Sequence, residues 1–296
     1  MVAGMRRREL PLILSLFVVT SACGRGDPSR KGTAEPLPRP PEAGPTQGAR
    51  STEPVPPPEA PSKVVVPESA RSREVTARQA AALAPRLLAK GLKLGAPVFV
   101  RIFKQELALE VWLEKDGRFT LFDTWKIAYH SGTLGPKLAE GDLQSPEGFY
   151  FVPPGMLNPN SRFHLAFDVG YPNAFDRSQG RTGSFILVHG KDVSTGCFAM
   201  TDPGIEEIYT LVEAALRAGQ PFFRVHVFPF RMTDANLKLH ARSPHRAFWE
   251  NLKEGHDWFE ARGVPPDVGV RAGRYVFREP AIRAAPAAAG QNPTTP

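Results

Sequence analysis

Cysteine is nearly absent from this chain: among 296 residues there are two, Cys23 and Cys197. Cys23 ends an N-terminal apolar segment, so Cys197 has no obvious intramolecular partner and a disulfide-stapled fold is excluded. His130, His226, His240, His245 and His256 lack the spacing of metal ligands, so neither a metal site nor any other cofactor is expected. No phosphate loop, dinucleotide fingerprint or internal repeat is present. The formal net charge of +7 excludes little, because a basic surface attracts carboxylates as readily as nucleic acid. With no nucleic-acid motif in the chain, carboxylate-bearing partners are the better expectation.

What is there begins with an export pattern. Arg6, Arg7 and Arg8 precede an apolar run, Leu10 to Val19, that is too short to span a bilayer. Thr20, Ser21 and Ala22 are small and lead to Cys23, an arrangement that resembles a bacterial lipobox. That resemblance implies a lipidated Cys23 as mature N-terminus, a membrane anchor, and a periplasmic location with the outer membrane favoured. Thr20 stands where leucine is more usual, so ordinary cleavage after Ala22 is the alternative. Residues 24–75 are crowded with proline, glutamate, arginine and small residues, and read as a disordered linker. In polyproline geometry some 45 such residues reach on the order of 100 Å, enough for a tether. Residues 281–296 read as a second disordered tail.

The remaining residues, 76–280, suffice for one substantial core. Thr76 to Leu94 reads as a helix capped by Thr76 and interrupted by Pro85 and Gly91. Val98 to Phe103, Leu107 to Leu113 and Phe119 to Ile127 read as strands, with Asp116-Gly117 turning the second hairpin. Gly148 to Val152, His164 to Phe167, Ser184 to Val188 and Phe222 to Val227 add shorter ones. Pro203 to Ala218 is a helix by every signal. Asp202 can cap it, proline opens it, Glu206 and Glu207 suit its positive end, and Gly219 stops it. A last helix runs from about His245 to Arg262. The pattern is β-rich α+β.

The chemistry concentrates in HGKDVSTGC, His189 to Cys197. An imidazole and a thiol flank a loop that contains Gly190, Ser194, Thr195 and Gly196 and follows an apolar strand. A nearby histidine can take the proton of a cysteine and leave a thiolate. Gly196 frees the backbone before Cys197, where N–H groups can face an oxyanion. Read alone, the pair fits a small core thiol and a satisfied core histidine equally well. An exported protein that keeps one unpaired thiol favours the chemical reading.

From about Val98 to Phe277 the chain resembles the L,D-transpeptidase catalytic domain of the YkuD type, in its YafK-like murein branch. The blocks SGTLGPK, KLAEGDLQSPEGFYFV, NPNSRFHLAFDVGYPNAFDR, GRTGSFILVHG and STGCFAMTD carry the resemblance in order. FWENLKEGHDWFE and GRYVF extend it toward the C terminus. It implies a β-sandwich-type domain with a helix after the cysteine loop and C-terminal helices. It implies Cys197 as nucleophile, His189 as general base, and a peptidoglycan stem peptide held as a thioester. The Ser194-Thr195-Gly196 loop would hold the oxyanion. The broader family often reads Ser-His-Gly-Cys, so Thr195 replaces a second histidine here. Arg181 is a candidate for a substrate carboxylate, with a structural salt bridge as the alternative. Gly190 and Tyr171 are further candidates for the substrate cleft, and His164 for its wall. Asp142 and Glu147 read as turn and loop residues, and Lys191-Asp192 as solvated.

Three functions fit this reading. One is a transferase that passes the acyl group to an amine, making wall cross-links or protein–wall links. The second is a hydrolase that releases a wall-linked lipoprotein or peptide through the same acyl-enzyme. The third, a peptidoglycan-binding module without turnover, fits an intact Cys/His pair poorly.

Overall fold

The first strand, VFVRIF (β1, Val98–Phe103), is buried at all six positions. A strand buried at every position, with Arg101 its one charged residue, has both faces covered, which places it inside a sheet. In a computed structural model that describes residues 65–281, β1 sits third in a five-stranded sheet. The others are β2 (Ala108–Lys115), β3 (Arg118–Lys126), β5 (Gly148–Val152) and β10 (Phe223–Phe228), in the order β3-β2-β1-β10-β5. β1 runs parallel to β10 and antiparallel to β2. Asp116 and Gly117 turn β2 into β3 with φ of 51° and 80°, as the Asp-Gly signal requires.

A second five-stranded sheet is built from much shorter pieces, in the order β4-β9-β8-β7-β6. These are β4 (Tyr129–His130), β6 (Leu157–Asn158), β7 (Ala166–Asp168), β8 (Leu187–His189) and β9 (Phe198–Ala199). β8 starts later than the apolar run Ser184 to Val188 predicts. Phe185 sits at φ 52°, off the extended backbone a strand needs.

The period-two alternation of the first sheet divides the core. Val98, Val100 and Ile102 join Val225 and Val227 in a large apolar cluster shared with Phe167, Val188 and Phe198 of the second sheet. The same cluster takes in helix α1 (Ala70–Ala89) and helix α3 (Asp202–Arg217). On the other face Phe103, Phe149 and Phe228 meet Trp249 and Leu252 of α5 (Arg246–Arg262) and Tyr275 of the hairpin β11 (Asp267–Arg271) and β12 (Arg274–Arg278). Two short helices, α2 (Ala174–Ser178) and α4 (Asp234–Leu239), complete the elements.

α1 corrects one expectation. It starts at Ala70, with Ser69 and Ser72 forming a capping box, and not at Thr76. The ordered region therefore reaches back into the stretch expected as linker. Pro85 lies inside the helix without breaking it, because Leu83 and Leu87 on either side are buried in the core. α3 is capped by Thr201, whose side chain accepts from Gly204, one residue earlier than expected. Cys23, the rest of the linker and the C-terminal tail lie outside the described residues.

Candidate active site

Strand register sets the segments that carry the thiol and the imidazole side by side. β8 and β9 run parallel with Val188 opposite Phe198 and His189 opposite Ala199. One step back sets Leu187 opposite Cys197, and the Leu187 N–H donates to Cys197 Sγ at 3.3 Å. Facing residues of a ladder share a face and neighbours along a strand alternate. Phe167, Val188 and Phe198 point into the core, so Asp168, Leu187, His189 and Cys197 take the opposite face. His189 and Cys197 are thus diagonal neighbours on adjacent strands, two residues apart in register. Ala166 and Ala199 flank His189 in its row and leave the ring room.

His189 is 1% exposed and lies against the Phe163 ring, with centroids 4.6 Å apart. Its Nδ1 is 2.5 Å from the Gly190 carbonyl. A carbonyl only accepts, so Nδ1 carries the proton and Nε2 is the basic nitrogen. Burial lowers the imidazole pKa, and the Gly190 bond opposes this weakly. The Cys197 thiol is pushed up, first by burial and then by the charge of Asp168; Leu187 N–H and Lys137 pull it down. Its S–H points to the Phe185 carbonyl at 3.6 Å. Both shifts favour the uncharged forms, thiol and imidazole.

The loop is held by its own residues. Ser194 Oγ donates to the Cys197 carbonyl at 2.7 Å, and Ser145 Oγ donates to the same oxygen at 3.3 Å. Gly196 has φ 128°, a conformation open to glycine and strained for other residues. Asp202, at the start of α3, accepts from Lys191 N–H at 2.9 Å and from Lys191 Nζ at 2.8 Å. Lys191 is thereby a tie between loop and helix, beyond the solvated residue expected. Thr195 is exposed, and among the described residues no hydrogen bond engages its hydroxyl.

Three expected substrate contacts turn out to have structural work. Arg181 donates to the fully buried Asp176 at 2.8 Å and lies over the Phe175 and Phe248 rings, so its guanidinium is spent in a salt bridge. A Cβ on Gly190 would come within 2.5 Å of Asp202 Oδ1 and 2.7 Å of the Phe163 carbonyl, so the glycine is required by close packing. Tyr171 is 5% exposed, and its hydroxyl donates to the Lys137 carbonyl at 3.1 Å. His164 is bound to Glu206 at 2.9 Å.

Other residues reach the site that spacing did not single out. Lys104, at the end of β1, is wholly buried and donates to the carbonyls of Gly135 and Ser145 at 2.9 Å and to Glu147 at 3.0 Å. Glu147 accepts in turn from Gly135 N–H and Trp249 Nε1, both at 2.7 Å. Glu147 is the loop residue expected, but a fully buried one, and it anchors residues 131–147, the segment whose Ser145 holds the cysteine backbone. Asp142 is the turn residue expected. Burial alone would raise its pKa, but Lys137 and the N–H groups of Ala139, Leu138 and Gln144 lower it to about 2. Lys137 and Ser145 were visible only as members of the KLAEGDLQSPEG block, since neither residue type announces a role by itself.

The provisionally assigned L,D-transpeptidase YafK of Escherichia coli K12 is 48% identical over 187 residues, covering 63% of this chain and 76% of the relative. The counterpart in Escherichia coli O157:H7 matches equally. No known family profile matches the chain. Among solved structures, the helical cell shape determining protein Pgp2 of Campylobacter jejuni is 25% identical, covers 50% of this chain and 55% of that one, and superposes with a TM-score of 0.37. Bd1075 of Bdellovibrio bacteriovorus is 20% identical over 56% of this chain and 58% of its own, with a TM-score of 0.34. On the extent and identity of the YafK match, the chain belongs to the L,D-transpeptidase family, in the branch of YafK.

Proposed function

We propose that this protein is a cysteine-dependent acyltransferase acting on peptidoglycan stem peptides, with Cys197 as nucleophile and His189 as base. The observation that carries the proposal is the diagonal placement of the two residues on one face of β8 and β9, with His189 Nδ1 tied to Gly190 so that Nε2 is basic. In this mechanism Nε2 takes the S–H proton as sulfur bonds to the peptide carbonyl carbon. Backbone N–H groups at Gly196 and Cys197 receive the oxyanion. The C–N bond then breaks, and the leaving amine takes the proton from His189. An acceptor amine attacks the thioester with His189 again as base; the C–S bond breaks and the thiol is restored. Water in place of the amine gives the hydrolytic outcome, including release of a wall-linked lipoprotein. In this reading the two sheets form the sandwich of the catalytic domain. The protein is exported and works at the wall, held there by lipid on Cys23.

Intact-protein mass spectrometry after incubation with a stem tetrapeptide tests the chemistry. The wild type should gain the mass of the acyl fragment, and Cys197→Ala should gain none while melting at an unchanged temperature. A folded Cys197→Ala protein with normal turnover overturns the assignment. A protein that binds sacculi tightly yet never forms an adduct is a binding module. Muropeptide analysis then separates new cross-links from simple loss of linked peptide.

A further inference from the structure

Burial raises three carboxyl groups among the described residues: Asp168, Asp176 and Glu213. Two have cationic partners, Arg181 for Asp176 and Arg217 for Glu213, at 2.8 and 2.9 Å. Asp168 has none. Among the described residues its hydrogen-bond partner is one backbone group, Gly170 N–H, which donates to Oδ1 at 2.9 Å. Even partial burial of a carboxylate without a counter-charge is costly.

Its position supplies the use. Asp168 pairs with Leu187 across β7 and β8, and Leu187 stands opposite Cys197. Asp168, Leu187 and Cys197 therefore form one row across the second sheet, on the face turned away from the core. Asp168 is half-buried and Cys197 is too, so neither residue is sealed from solvent. Asp168 and Lys137 bear on the thiol with opposite charge. Lys137 is already occupied, by Asp142 at 2.5 Å and the Ala139 carbonyl at 2.8 Å. The open charge in this row is negative.

We propose that Asp168 is a specificity-determining residue that binds a primary ammonium group of the substrate beside the Cys197 thiol. The inference rests on the acyl-transfer reading above and names what that site selects. An ammonium can come from a side-chain amino group of the acyl donor or from the amine acceptor. The carboxylate would hold either by a charge-assisted hydrogen bond.

The test uses the full chain and two stem tetrapeptides that differ in whether the side-chain amino group is free or acetylated. Adduct formation is followed by intact mass, and turnover of the adduct is followed with and without a free amino acid as acceptor. If the donor supplies the ammonium, the wild type acylates the free-amine peptide about tenfold or more faster at low concentration. Asp168→Asn then erases that preference through KM, and Asp168→Glu retains much of it. If the acceptor supplies it, both peptides acylate alike and Asp168→Asn loses saturation of the amine-dependent step. In either case, removing the negative charge should shift alkylation of Cys197 by iodoacetamide to lower pH, and loss of the amine preference or of amine saturation is the readout that a purely structural role would not move. Equal acylation of both peptides together with unchanged amine dependence in Asp168→Asn overturns the inference. Wild-type protein that takes up neither peptide overturns the acyl-transfer reading, and this inference with it.

Discussion

The two five-stranded sheets differ in how they spend their residues. In the first, strands run for five to nine residues, and the central β1 has no exposed position. In the second, no strand exceeds three residues, and each is cut off by a turn, a glycine or a residue at positive φ. The first sheet offers little backbone for a ligand to approach. The second shares one face with the core and gives the other to Asp168, His189 and Cys197. Regular pairing makes the scaffold; its interruption makes the site. Lys104 joins the two, reaching from the end of β1 to the segment that supports the cysteine loop.

If that division is right, changes in the second sheet should remove turnover and spare stability. The largest effect after loss of the thiol is expected at His189. His189→Gln should lower acylation by about 10²–10⁴-fold, the range for removal of a general base. Its melting temperature should stay near that of the wild type. In the wild type, the raised thiol pKa predicts that alkylation of Cys197 accelerates on the alkaline side of an ordinary cysteine. A profile centred well below that would mean a preformed thiolate and a different resting state.

A change at the joint should affect both regions. Lys104→Met leaves the buried Glu147 without its cation, and removing one member of such a pair costs about 3–5 kcal/mol. Denaturant unfolding measures that loss. Acylation by the fraction that remains folded should also fall, because the Ser145 carbonyl loses its donor and Ser145 Oγ its position on the Cys197 carbonyl. Full activity with reduced stability would confine Lys104 to the scaffold.

The first sheet should reveal itself through stability alone. His226 on β10 is fully buried among Phe99, Phe149 and Phe228, and among the described residues neither ring nitrogen has a hydrogen-bond partner. Burial, with the charges of Arg224, Arg101 and His256, holds its pKa well below the ordinary value. The unfolded chain therefore binds a proton that the folded chain refuses. Stability falls as pH drops below about 6.5, by up to about 1.4 kcal/mol per unit for this one group. His226→Phe should flatten that part of the stability profile and leave acylation unchanged. An unaltered acid slope would mean that other groups carry it.

The smallest effect is expected at Thr195, where the broader family has histidine. Its exposed, unengaged hydroxyl predicts that Thr195→Val costs far less than the roughly hundredfold typical of a lost oxyanion donor. A hundredfold drop in acylation at unchanged stability would put the hydroxyl in the oxyanion site.

How much was legible in the sequence follows the same line between the sheets. β1 and β5 occupy the residues their apolar runs predict, and α3 falls within a residue of its expected ends. Local signals suffice there, because periodicity, cap and stop agree over several turns or residues. β4, β6 and β9 have two residues each, too few for any period to register. Arg181 and Glu147 illustrate the remaining gap. Their residue types allow a substrate contact or a loop position, yet each is taken up by a partner that the residue type does not announce, the buried Asp176 for one and Lys104 on a separate strand for the other.

The sequence by itself determined the α+β class, the extent of the main helix and scaffold strands, and the thiol and imidazole as the reactive candidates. These rest on covalent identity and on patterns repeated within one segment. Tertiary structure alone decided which face of β8 and β9 the pair shares, which nitrogen of His189 is basic, and that Asp168 stands in the row of the thiol without a counter-charge. Each of those depends on register between strands distant in the chain, and register is fixed by the packing of one sheet face against the core.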